Sequence, residues 1–231
     1  MIFFRSAAIV ISLATYPILV GAQTTQSVQP VIRVEFNDAA LIPSHWTLEL
    51  HTDSTAHFHS DRAVPDPQTA DPTAPSIPLI DRDLKLSPAF TERFFSTARE
   101  RNLFNFKCES RNKVAYQGTK TLTYTGPDGH GSCQFNYSSD SKIQELSESV
   151  TALVASIVEG FKLASLQTHD RLGLDREMEF VSEAVKDGRL QQIGVIREQL
   201  EHLAADDALL DRVRHRAMKL LAQINQQDTP H

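Results

Sequence analysis

The sequence predicts an α+β protein: a small antiparallel sheet with one packed helix, pinned by a disulfide, followed by a C-terminal helical bundle. Three observations predict it. Up to about residue 138, apolar residues alternate with polar ones in short stretches separated by turn signals. From Ser139 the period changes to the three- and four-residue steps of amphipathic helices, almost to the end of the chain. The only two cysteines, Cys108 and Cys133, both fall in the alternating half, where one bridge would tie two strands.

The reading of the cysteines depends on the N-terminus. Residues 1–22, MIFFRSAAIVISLATYPILVGA, carry one charge, Arg5, ahead of an apolar stretch from Ala7 to Val20. Val20 and Ala22 supply the small residues that a signal peptidase requires, which places the cut after Ala22. The apolar stretch is shorter than the ~20 residues a transmembrane helix needs. No cysteine follows Ala22, so lipid attachment there is not expected. The protein is therefore expected to be exported, to a periplasm or to the exterior. In such an oxidising compartment an isolated, even pair of cysteines forms a structural disulfide. A bridge spanning 25 residues would stabilise the fold by roughly 3–3.5 kcal/mol on the chain-entropy account.

Three parts follow: a signal peptide at 1–22, an α+β module at 23–138, and a helical segment at 139–228. The formal net charge of the 231-residue chain is −6, and loss of Arg5 makes the mature chain one unit more negative. Such a chain is a poor partner for nucleic acid or anionic lipid. No later stretch reaches spanning length without charge, so no membrane span is expected in the mature chain.

Within the module, residues 31–36 alternate Ile32, Val34 and Phe36, a strand pattern. Residues 45–51 place Trp46, Leu48 and Leu50 on one face and His45, Thr47, Glu49 and His51 on the other. After a turn at Asp53-Ser54-Thr55, residues 56–60 repeat the alternation, with Phe58 opposed by His57 and His59. Pairing Leu50 with Phe58 sets His51 across from His57 and Glu49 across from His59. Residues 61–81 hold five of the chain's eleven prolines and read as a long loop. Residues 80–86 return to the sheet. Ser87-Pro88 then forms an N-cap and first-turn proline for a helix that buries Phe90, Phe94 and Ala98 and ends near Asn102. Phe104, Phe106 and Cys108 alternate again, as do Leu122 with Tyr124, and Cys133 with Phe135 and Tyr137. The glycines around Pro127-Asp128 mark a hairpin turn between the last two stretches, not a phosphate loop, since no lysine follows.

In the helical segment Ser139-Asp140 are cap candidates for a long helix running to about Thr168, with Ile143, Leu146, Val150, Leu153, Ile157 and Phe161 on its apolar stripe. A second helix covers 174–187, with Asp175 as cap and Gly188 just past its end. A third uses Leu190, Ile193, Ile196, Leu200 and Leu203, and a fourth starts at Asp206. Short connections make these antiparallel neighbours, and each is too short to persist without packing. The basic run Arg212, Arg214, His215, Arg216 and Lys219 is expected to pair with nearby acids.

The chemistry-bearing candidates are few. His45, Glu49, His51, His57 and His59 share the polar face of the first hairpin. In the register above, His51, His57 and either Glu49 or His59 can converge on Zn²⁺ or Cu²⁺; the plainer reading is a solvated sheet face. No G-x-S-x-G, H-E-x-x-H or calcium-loop pattern occurs. Trp46 and the phenylalanines 90, 94, 104, 106 and 135 line either a core or an apolar pocket. Tyr116, Tyr124 and Tyr137 read as surface or rim positions.

The functional expectation is a non-enzymatic exported protein without a cofactor, acting through a protein partner or self-association by its C-terminal helices. A metal-binding protein or metal-dependent hydrolase built on the histidine face is the first alternative. A binder of small apolar ligands is the second.

Overall fold

The structure is a computed structural model that describes residues 29–39, 41, 43–61 and 78–228. The expected signal peptide and residues 62–77 of the proline-rich stretch lie outside the described residues.

Six strands form one antiparallel sheet: β1 (Val31–Asn37), β2 (His45–His51), β3 (Thr55–Ser60), β4 (Ile80–Lys85), β5 (Thr119–Gly126) and β6 (Gly129–Phe135). Their order is β4-β3-β2-β1-β5-β6, so the chain lays down one side of β1 before it builds the other. The alternation seen in the sequence sets the inner face, where Ile32, Val34, Phe36, Trp46, Leu48, Leu50, Phe58, Leu122 and Phe135 are all buried. Tyr124 belongs to this face too and is fully buried, with its hydroxyl donating to Asp128, rather than lying at a rim.

The first hairpin closes more tightly than the pairing of Leu50 with Phe58 requires. Leu48 pairs with Phe58 and Leu50 with Ala56, so Glu49 stands across from His57 and Thr47 across from His59. The reason is the turn. Ser54 adopts a left-handed conformation, φ 66°, its amide donates to the His51 carbonyl, and the loop is Thr52-Asp53-Ser54. A three-residue loop ending in a left-handed residue is a favoured hairpin connection. The shift is by two residues, so every side chain keeps its face and only the partners change.

Helix α1 (Pro88–Glu100) crosses the inner face, burying Phe90, Phe94, Phe95 and Ala98. Ser87 caps it, accepting from the Phe90 amide, with Pro88 in the first turn. The strand expected at Phe104–Cys108 does not form. The chain instead makes a tight left-handed turn over Asn102–Phe104, with φ of 49°, 55° and 66°, tied by Phe104 N–H to the Arg101 carbonyl. This turn lies against β6: a Cβ on Gly131 would meet the Leu103 carbonyl oxygen at 2.3 Å, so glycine is required there. Cys108 follows in irregular backbone and is bonded to Cys133 of β6, with Cα atoms 5.9 Å apart.

Helix α2 (Ser141–His169), capped by Asp140, is long and apolar enough to cross a membrane by length and composition. Here Ile143, Leu146, Val150, Leu153, Ile157 and Leu163 are buried within the protein's own core. Helix α3 (Arg171–Lys186) starts ahead of the predicted position because Asp170, not Asp175, is its cap; the Asp170 carboxylate accepts from the amides of Leu172 and Gly173. Asp175 turns instead to Arg212 and Arg216, each at 2.7 Å. The third helical pattern forms two pieces: Gln192, at φ 54°, opens a 3₁₀ turn, Ile193–Ile196, and α4 (Arg197–Ala205) follows it. Helix α5 is Asp211–Asp228, and Asp206 caps the turn before it by accepting from the Ala208 amide.

The two halves share one hydrophobic cluster, running from Ile32 of β1 to Ile224 of α5. Within the helical half, Gly160 of α2 lies close against the 193–196 turn: a Cβ there would lie 2.5 Å from Ile196.

Candidate functional site

On the solvent face of β2, β3 and β4, His45, His57 and His59 meet carboxylates. His57 Nδ1 lies 2.9 Å from Asp83 and its Nε2 3.3 Å from Asp81. His59 Nδ1 is 2.9 Å from the other Asp81 oxygen. His45 stands between Glu35 at 3.4 Å and Asp61 at 3.2 Å, while Glu49 accepts from Arg33 at 2.8 Å. His51 faces Val31 of β1 and does not join His57. The hydrogen bond to Asp83, followed by the nearby carboxylates, holds His57 above its ordinary pKa of 6.5. Among the described residues no three His, Cys, Asp or Glu side chains are placed to hold one metal ion. Charge pairing organises this face. Asp81 and Asp83 were legible as alternating positions in residues 80–86, but their partners could not be known before the strand was docked beside β3.

The phenylalanines named in the sequence divide by depth. Phe90, Phe94, Phe104 and Phe135 fill the space between helix and sheet, each no more than 2 % exposed. Phe106 packs against that core from its edge. Burying one such ring contributes roughly 1.5–3 kcal/mol, which is a core's work. Trp46 stacks on Phe36 across β1 and β2, ring centroids 5.2 Å apart and planes 13° from parallel. These two rings stand at the open end of the sheet and line a groove.

The groove runs between that end of the sheet and α2. One hollow, about 430 Å³, is lined by Phe36, Gln117, Lys120, Thr151, Ala155 and Arg189, among others. The adjoining hollow, about 220 Å³, is lined by Phe36, Pro43, Trp46, Val154, Val158 and Glu159, among others. Phe36, Leu41, Thr151 and Ala155 border both, which makes them one continuous trough. A separate cleft of about 260 Å³ lies among α2, the 193–196 turn and α4. Its wall includes Arg82, whose guanidinium already donates to the Val195 carbonyl at 2.7 Å.

Two of the groove's ionisable groups, Lys120 and Glu159, are shifted by burial. Lys120 occupies an inward position of β5, opposite Phe36, and is only 7 % exposed. Its ammonium donates to the carbonyls of Gln117 and Asn136, both at 3.0 Å, and makes no ion pair within 4 Å among the described residues. Burial lowers its pKa, against the attraction of Asp38 and Glu109. At the other end, burial pushes the Glu159 carboxyl up to about 7, and the neighbouring Glu177 adds to that shift while Lys162 opposes it. One Glu159 oxygen is buried without a hydrogen-bond partner among the described residues.

Neither group was singled out by sequence reasoning. The signal for Lys120 was present: in Lys120-Thr-Leu-Thr-Tyr124 a lysine shares the alternation of Leu122 and Tyr124, an inward register where a charge is costly. Glu159 gave no comparable signal, because its burial depends on α3 and on the residues around Trp46.

No protein-family model matches the chain, and no curated protein is similar to it at a significant level.

Proposed function

We propose that the mature protein is exported and serves, without catalysing a reaction, to bind a small, largely apolar ligand in the groove between the sheet and α2. The observation that carries this reading is the trough itself, apolar along Phe36, Trp46, Val154 and Val158 in one hollow and bordered by polar side chains in the other. Concave, mostly apolar sites with a few placed polar groups are the usual form of ligand pockets. The Cys108–Cys133 bridge suits an oxidising compartment and so supports export.

The helix faces behind the expectation of self-association are largely used within the chain: Leu174, Met178, Val181, Leu200, Leu203, Val213 and Leu220 are all buried. Association through the helical half therefore rests on Leu172, Phe180, Leu210 and Met218, which are exposed. It is the second reading, and light scattering on the mature chain decides it: a monomer at all concentrations would end it.

Trp46 is the only tryptophan, so the groove carries its own reporter. The test titrates 1-anilinonaphthalene-8-sulfonate into the mature protein and follows energy transfer from Trp46. Saturable binding is expected in the wild type and absent in Ala155→Phe, which fills the point where the two hollows meet. Equal binding by a folded Ala155→Phe would overturn the groove as the site.

A further inference from the structure

We infer that the groove takes an amphipathic organic anion, one apolar chain ending in a single acidic group, with Lys120 as the anchor of that group. This rests on the groove being the ligand site and adds the chemical class of the ligand.

Lys120 is a costly residue to bury. An ammonium removed from water must be repaid by hydrogen bonds and by a countercharge. Lys120 is buried on the inner face of β5, where neighbouring inward positions are Leu122 and Tyr124. Its three N–H donors meet two carbonyl acceptors, Gln117 and Asn136, and among the described residues no third hydrogen bond is made. Carbonyls orient the ammonium but do not neutralise it. Asp38 and Glu109 act on it through space, without an ion pair to it within 4 Å among the described residues. Its amine instead sits 5.8 Å from the Phe36 ring centre, on the wall of the larger hollow.

The surroundings favour an anion over any other head group. Arg189, which is paired with Asp187 at 2.8 Å, adds a second cation to the same hollow, and Gln117, Gln144, Ser147 and Thr151 line it with polar groups. Glu148 is the one carboxylate on that wall. Beyond the shared residues Phe36 and Ala155 the trough becomes apolar along Trp46, Val154 and Val158. A molecule with its acid at Lys120 and its chain toward Trp46 meets cation with anion at one end and apolar surface along Trp46, Val154 and Val158, short of Glu159 at the far end. A neutral chain would leave Lys120 with only the more distant Asp38 and Glu109, and a cationic head in this hollow would face both Lys120 and Arg189.

The experiment compares decanoate, 1-decanol and decylammonium, read by Trp46 fluorescence and by calorimetry, on the full mature chain. Wild type is expected to bind decanoate at least about tenfold more tightly than decanol, and decylammonium most weakly. Lys120→Met keeps the apolar stem and should bring decanoate down to the affinity of decanol, while decanol binding is retained. Lys120→Gln serves if the methionine variant does not fold. Equal binding of decanoate and decanol, both blocked by Ala155→Phe, would overturn the anion inference and leave the groove intact. A decanoate preference that survives in the folded Lys120 variants would overturn Lys120 as the anchor. If no ligand binds in a way that Ala155→Phe blocks, the groove reading fails, and the inference with it.

Discussion

Ser87 and Gln192 are joined by two hydrogen bonds: the Ser87 amide donates to the Gln192 side-chain carbonyl at 2.8 Å, and the Gln192 amide donates to the Ser87 hydroxyl at 3.1 Å. Ser87 caps the helix that packs on the sheet, and Gln192 opens the turn that leads into α4. Alongside them, Arg82 of β4 donates to Val195, and Ser156 of α2 donates to the Gln191 carbonyl at 2.7 Å. The 190–196 segment is thus fastened to the sheet, to α1 and to α2 together.

Removing the Gln192 side chain should therefore destabilise the whole molecule and not one half. Gln192→Ala leaves the Ser87 amide without its acceptor, at a cost of about 1–3 kcal/mol. Urea unfolding followed by Trp46 fluorescence and by far-ultraviolet dichroism should show one shared transition at lower urea. Separate transitions by the two probes would show that the halves unfold independently.

The disulfide holds the irregular 105–110 segment against β6. Replacing Cys108 and Cys133 together by alanine should lower stability by about 3 kcal/mol. Reducing agent should lower the wild type to the same level and leave the double variant unchanged.

Stability should also depend on pH through His57. Its folded pKa is raised above 6.5, chiefly by Asp83, so this contribution is complete below pH 6.5 and is lost as pH rises through the higher folded value. Both partners are substantially exposed, which keeps the effect small. Proton NMR of the His57 ring should show a midpoint above 6.5 that moves back toward 6.5 in Asp83→Asn.

Glu159 titrates in the same sense for a different reason. Burial raises its folded pKa from 4.5 to about 7, so the folded state holds the proton more tightly and stability falls as pH rises between those values. Glu159→Gln should flatten that part of the pH–stability curve. Urea midpoints at pH 5 and pH 8 measure it; an undiminished decline in the variant would assign the effect to another group.

Much of the fold was legible because strands and helices announce themselves locally. Alternation placed β1, β2, β3, β4, β5 and β6, and Ser87-Pro88 and Ser139-Asp140 marked the starts of α1 and α2. Where local signals competed, the sequence misled. Asp170 and Asp175 both look like caps, and the choice fell to Asp175's pairing with Arg212 and Arg216 from α5. Phe104-Asn-Phe-Lys-Cys108 alternates like a strand, yet it is held in a left-handed turn and irregular backbone against β6.

What the sequence determined by itself is the set of faces: which residues point inward, which cysteines can pair, and which histidines share a surface. Period and composition fix these within one element. Tertiary structure decided which faces meet. It slid the first hairpin by two residues, which separated His51 from His57 and paired Glu49 with it instead. It joined both halves in one core, and it brought Lys120 of β5, Trp46 of β2 and Glu159 of α2 around one groove. Those residues lie far apart along the chain, and no local pattern encodes a distance that only the packing of separate elements creates.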